Sequence, residues 1–154
     1  MTEALVDTKA DQSPVTVLSD ILADSYFLYL KAHNFHWNVE GPRFRSLHNM
    51  FEEHYRDLWN ALDDIAERIR ALGAYAPGTY AKLKARSSIE ENEHIPAAEA
   101  MLDELITDNE TVIRNLRAAV SVAEAHDDPA TADLLTERLG AHEKQVWMMR
   151  SMRA

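Results

Sequence analysis

Apolar residues return at intervals of three and four along most of this chain, a period that dictates helices with one buried face. Four segments carry it. Residues 14–39 hold Leu18, Ile21, Leu22, Leu28 and Ala32; residues 43–72 hold Leu47, Phe51, Leu58, Leu62, Ile65, Ile69 and Leu72. Residues 97–125 hold Met101, Leu105, Val112, Leu116 and Val120, and residues 129–151 hold Leu135, Leu139, Val146 and Met149. No run follows the two-residue period of a strand. Ser13-Pro14 and Asp128-Pro129 read as N-caps followed by proline at the first helical position, and Pro42 and Pro96 mark two further starts. Helices of ~25 residues are some 35–45 Å long, which predicts an all-α four-helix bundle.

The stretch from Ala74 to Ile95 is long for a bundle connection, so it must cross the bundle end to end or carry a short helix around Tyr80–Arg86. Residues 1–13 read as a short N-terminal tail and residues 14–154 as one domain. Gly140, inside the last helix, costs roughly 1 kcal/mol against alanine and points to a close contact.

Composition narrows the class. No apolar run approaches the ~18 residues of a membrane span. The first twelve residues, MTEALVDTKADQ, are too polar and acidic for a secretory signal. Zero cysteines exclude a disulfide framework, a thiolate zinc site and an iron–sulfur cluster, and the cytoplasm is the expected compartment. A formal net charge of −10 argues against a surface that grips nucleic acid throughout, because phosphate contacts need clustered Lys and Arg. An acidic surface attracts cations, although it also serves plain solubility.

The chemistry concentrates between His33 and Arg68, which holds four of the seven histidines. A helix advances ~100° per residue, so with His48 at zero Glu52 lies near 40°, Asp63 near 60° and Glu67 near 100°. All four share one face beside the apolar stripe. Yet His48 and Asp63 are ~22 Å apart along the axis, and the ligands of one ion sit within ~2–2.5 Å of it. One straight helix cannot bring both pairs to the same ion.

Symmetry offers a solution. The midpoint of positions 48 and 67, like that of 52 and 63, falls between residues 57 and 58. Two copies of this helix packed antiparallel about a two-fold axis there would set His48 and Glu52 of one against Glu67 and Asp63 of the other. Such a contact repeats itself and gives two identical sites. His36, just across the Gly41-Pro42 turn, reaches the His48 end, while Tyr55 and Trp59 fall between the pairs, placed to pack across the axis. His33 is assigned to the surface or an interface, and Glu53, His54 and Asp64 to the neighbouring solvated face. An intrachain di-iron bundle fails on count: it wants two Glu-x-x-His motifs, and the one suitable example, Glu91 to His94, sits in loop-like sequence before Pro96. Mixed imidazole and carboxylate ligands suit Fe(II), and also zinc or manganese.

These residues carry a resemblance. The block FHWNVEGPRFRSLH at 35–48, the Asp63-Asp64-Ile65-Ala66-Glu67-Arg68 run and LLTERLGAHEKQVWM at 134–148 resemble the Dps mini-ferritins, over nearly the whole chain and most specifically in residues 31–73. The resemblance implies a ferritin-like bundle, assembled as a dodecameric cage with iron oxidised at sites shared between two-fold partners. His36, His48 and Glu52 would come from one subunit, with Glu52 where the family often has Asp; Asp63 and Glu67 would come from its partner. It further implies a ferroxidase that reduces hydrogen peroxide by two electrons with paired ferrous ions, stores the ferric mineral and so protects DNA. Carboxylates stabilise the more highly charged Fe(III) product.

Asp128, Asp133 and Glu137 have spacings similar to the acidic lining of the family's three-fold iron-entry pores, and Asp128 reads equally as an N-cap. Trp37 and Trp59 stand near the iron site as candidates for intercepting stray radicals, with aromatic packing as the plainer role. Many relatives coat DNA through a lysine-rich tail. Here Lys9 is outnumbered by Glu3, Asp7 and Asp11, and Arg150 and Arg153 make no basic arm, so direct DNA binding is expected to be weak or absent. The alternative, a nucleoid-compacting structural protein with secondary iron chemistry, is disfavoured by that tail charge. A metal-free helical module leaves the spacing unexplained.

Overall fold

Proline starts two of the long helices and glycine ends a third. The computed structural model describes residues 12–154, so the tail charges Glu3, Lys9 and Asp7, with Asp11, lie outside the described residues. Ser13 caps α1 (Pro14–Asn38) by accepting the Thr16 N–H at 3.2 Å. A turn through Gly41, whose φ of 118° favours glycine, leads into α2 (Phe44–Ala71), and Gly73 at φ 94° stops it. The long connection carries α3 (Tyr80–Arg86), capped by Thr79. Then come α4 (Ala98–Ala125) and α5 (Pro129–Arg153), the latter capped by Asp128. Among the described residues there is no strand, and no helix is long and apolar enough to cross a membrane.

The four long helices pack as a bundle, with α1 against α2, α4 against α5 and α1 against α4 as the broad contacts. Their core is built on the predicted stripes: Leu18, Ile21, Leu47, Phe51, Leu58, Ile65, Ile69, Met101, Leu105, Leu116, Leu135 and Met149 are all buried, and Phe35 joins them. Fully burying each such side chain contributes about 1.5–3 kcal/mol, so apolar burial dominates the stability. Buried Asp24 fastens the segment after α3: it accepts from the Ser88 N–H at 2.6 Å, the Ser87 hydroxyl at 3.4 Å and the Asn115 amide at 2.9 Å. Burial raises its carboxyl pKa, and those hydrogen bonds pull the other way.

The seam between α2 and α5 is polar. Arg138 clasps Asp57 with two nitrogens at 2.9 and 3.3 Å, Gln145 donates to the same carboxylate at 3.1 Å, and Arg68 reaches Asp128 and Thr131. His142 is fully buried behind them and meets Asn109 Oδ1 at 2.7 Å. Two sequence expectations are corrected here. His54 is not on a solvated face; it is buried, because its spacing from Leu47, Phe51, Leu58 and Ala61 places it in the apolar stripe. Gly140 marks no close contact within the chain, since a Cβ there would meet nothing within 4 Å.

Candidate metal centre

His36 lies in the last turn of α1 and His48 in the second turn of α2, so the Gly41 turn folds one over the other. The rings stack at 3.8 Å between centroids and 17° between planes. Each ring then fixes its partner. His36 Nδ1 lies 2.7 Å from the His48 carbonyl oxygen, and His48 Nδ1 lies 2.7 Å from the His36 carbonyl oxygen. A carbonyl only accepts, so both Nδ1 atoms carry hydrogen and donate. In the neutral rings both Nε2 lone pairs are therefore free, the tautomer and orientation a metal ligand needs.

Glu52 stands one helical turn after His48. Its Oε1 is 4.0 Å from His36 Nε2, and its Oε2 accepts from Arg56 at 2.9 Å. That hydrogen bond, with the Arg56 charge, holds the carboxyl below its usual range, so Glu52 is an anion at neutral pH. One ligand atom from each of His36, His48 and Glu52 falls within 4.8 Å of the others, the sole such trio among the described residues. Two neutral imidazoles and one carboxylate form a borderline donor set for a first-row divalent ion.

Asp63 and Glu67 are not part of this trio. Both are exposed, farther along α2, and among the described residues neither forms an ion pair. The chain thus presents two separate groups of donors, one shared by α1 and α2 and one farther along α2. Tyr55 departs from its expected place: it is only 9% exposed, stacked on His33 at 4.0 Å, so within the chain it packs against α1 rather than standing free between the pairs. Trp59 and Trp37 remain 56% and 62% exposed on the same side of the molecule. His33 is half-buried among them, outside the trio, and burial followed by the nearby His36 pushes its imidazole pKa down. Glu53 and Asp64 are exposed as expected. Glu91 and His94 lie in irregular backbone, consistent with rejecting an intrachain di-iron motif.

At the start of α5, Asp128 has both oxygens engaged. Oδ1 accepts from Thr131 N–H and from Arg68, and Oδ2 from the Thr131 hydroxyl at 2.6 Å. These bonds hold its carboxyl below the usual range against the opposing effect of burial, which leaves capping as its evident role in the chain. Asp133 and Glu137 are exposed, one turn apart on α5.

Sequence reasoning missed the reciprocal Nδ1 bonds, which depend on the turn bringing two backbones together, and the grip of Arg56 on Glu52. The latter was visible as an i, i+4 pair.

Similar proteins bear on this arrangement. The family model described as a Ferritin-like domain matches residues 15–154. The "DNA protection during starvation protein 2" of Bacillus anthracis is 38% identical over 137 residues, covering 89% of this chain and 94% of the relative. This chain belongs to the Dps family, within the ferritin-like fold. An uncharacterized low temperature-induced protein of Nostoc sp. is 42% identical over 142 residues, covering 91% of this chain and 79% of that protein. The crystal structure of a Dps protein from Bacillus brevis superimposes with a TM-score of 0.90 at 35% identity, over 97% of this chain and all of the other.

Proposed function

We propose that this protein is a ferroxidase and iron store whose oxidation site is completed by a second copy of the chain. The observation that carries it is the reciprocal bonding of His36 and His48, which leaves both Nε2 atoms free in a cluster with an ionised Glu52. Ferrous iron is the substrate. His36, His48 and Glu52 of one chain bind it, and Asp63 and Glu67 of a two-fold mate supply the remaining donors. Neutral imidazoles suit the ferrous state, while three carboxylates favour the ferric product by added negative charge. Hydrogen peroxide is the preferred oxidant: two ferrous ions supply two electrons, and with two protons the peroxide becomes two waters. Mineral storage in a dodecameric cage follows, with DNA protected by removal of iron and peroxide. Membership of a family whose relatives are named for DNA protection during starvation supports this reading.

Asp133 and Glu137, with Asp128 behind them, are proposed to line an acidic entry path. Neutralising Asp133 and Glu137 is expected to slow iron uptake. Direct DNA binding is proposed to be weak or absent at physiological salt, because the tail is acidic. A gel shift at ~0.15 M salt, where the Debye length is about 8 Å, is expected to show no complex.

The direct test compares aerobic and peroxide-driven ferrous oxidation in the wild type and in an Asp63→Ala, Glu67→Ala variant. The variant is expected to assemble and to lose rapid oxidation with either oxidant. Equal rates remove the site assignment. A faster wild-type rate with oxygen than with peroxide removes the oxidant preference alone.

A further inference from the structure

Glu52 divides its two oxygens between different tasks. Oε2 accepts the Arg56 Nε–H at 2.9 Å, while Oε1 lies 4.0 Å from His36 Nε2. Two metal–ligand bonds of ~2.1 Å span at most about 4.2 Å between their ligand atoms, so one ion fits between Oε1 and His36 Nε2 as they stand. Arg56 follows Glu52 by one turn of α2, and its guanidinium lies over the Tyr55 ring, 5.4 Å from the centroid. Tyr55 is buried and stacked on His33, so the guanidinium rests on a fixed floor. A partly exposed ion pair of this spacing ordinarily contributes little to a helix. Here one of its members is also the carboxylate of the donor trio.

We propose that Arg56 is a positioning residue of the metal centre: by occupying Glu52 Oε2, it restricts Glu52 to binding a metal ion through Oε1 alone. That the ion is ferrous iron rests on the ferroxidase reading; the restriction applies to any divalent ion held by the trio. A carboxylate with both oxygens free can close on a divalent ion with one or both. One that already gives an oxygen to a guanidinium must break a charge-assisted hydrogen bond to use both. Two consequences follow for the bound ion. It keeps a coordination position open for donors that the trio does not supply. It is also held less tightly, since part of the carboxylate's charge is committed to Arg56. A centre whose substrate is the ion itself has to let the product go, and attachment through one oxygen favours passage over retention.

The test titrates the full-length, assembled, metal-free protein with Co(II) under nitrogen, following the visible absorption of the bound ion. Arg56→Met is expected to bind Co(II) about fivefold more tightly than the wild type, the scale of one lost ion pair at a partly exposed carboxylate. Its absorption per bound ion is expected to fall, because a second Glu52 oxygen raises the coordination number. Arg56→Lys restores a charged donor without the planar fork and is expected to return both readings toward the wild type. The decisive arm places Arg56→Met on a Glu52→Ala background. There the affinity is expected to change by less than about twofold, because Arg56 acts through the carboxylate. Equal or weaker Co(II) binding in Arg56→Met reduces the contact to an ordinary surface ion pair and overturns the assignment. An equal gain with and without Glu52 overturns it too, since Arg56 would then act only as a nearby charge. Neither outcome involves oxidation, whereas failure of the Asp63→Ala, Glu67→Ala test bears on the ferroxidase reading alone.

Discussion

Two pairs of histidines share this bundle in opposite circumstances. His36 and His48 sit at the end of the α1–α2 hairpin, each with Nδ1 tied to a carbonyl, and His36 Nε2 lies 4.0 Å from the Glu52 carboxylate. His54 and His142 lie inside the bundle. His142 is tied to Asn109 and sits 3.5 Å from the Arg138 guanidinium, and neither His54 nitrogen has a protein partner. Burial pushes the inner pair down to about 4 for His54 and about 3 for His142, so both are neutral packing residues. Residue type is the same in the two pairs. What faces the ring nitrogens decides whether the imidazole is a candidate ligand or a filler.

Exchanging the pairs' chemistry by mutation should break that contrast. The largest effect is expected from His36→Ala with His48→Ala: ferrous oxidation falls by orders of magnitude, while the assembled protein stays folded because each change removes one hydrogen bond worth about 1 kcal/mol. Stopped-flow oxidation alongside thermal unfolding separates the two. Oxidation near the wild-type rate would return these rings to a structural role.

Acid comes next. The folded His142 pKa of about 3 lies below its ordinary 6.5, so the unfolded chain binds the proton more readily. The stability this histidine contributes is fully present above about pH 6.5 and is lost as pH falls toward 3, a loss of a few kcal/mol at most. Denaturant unfolding of the iron-free protein across that range is expected to show this slope, with a shallower one in His142→Gln. Identical slopes would place the acid sensitivity elsewhere.

The smallest effect sharpens the comparison most. If neither His54 nitrogen has a partner, His54→Leu removes an unsatisfied buried group and is expected to raise stability by about 1 kcal/mol, read as a higher urea midpoint at constant m-value. A lower midpoint would mean that a buried water satisfies the ring.

Most of the architecture was legible because its signals are local. Pro14 and Pro129 behind their caps, Gly73 after α2 and the three–four apolar period define the helices within a residue or two. Part of the candidate centre was legible too: the Gly41 turn brings His36 beside His48 and Glu52, while Asp63 and Glu67 lie farther along α2. What was not legible depends on other elements. His54 reads as polar, yet its helical phase buries it. His142 draws attention only when Asn109 arrives from α4. Tyr55 turns inward because His33 offers a flat face to stack on. Asp128 was visible as a cap, but its Arg68 partner lies 60 positions away.

The sharing of each site between two chains is tested most directly by complementation. One chain carries His36→Ala and His48→Ala, the other Asp63→Ala and Glu67→Ala, and the two are co-expressed and assembled together. Each homogeneous assembly should be inactive. In a random mixture half the two-fold contacts are mixed, and each mixed contact holds one intact site, so about a quarter of wild-type ferrous oxidation should return. A mixed assembly as inactive as its parents would contradict the claim that two chains complete each site.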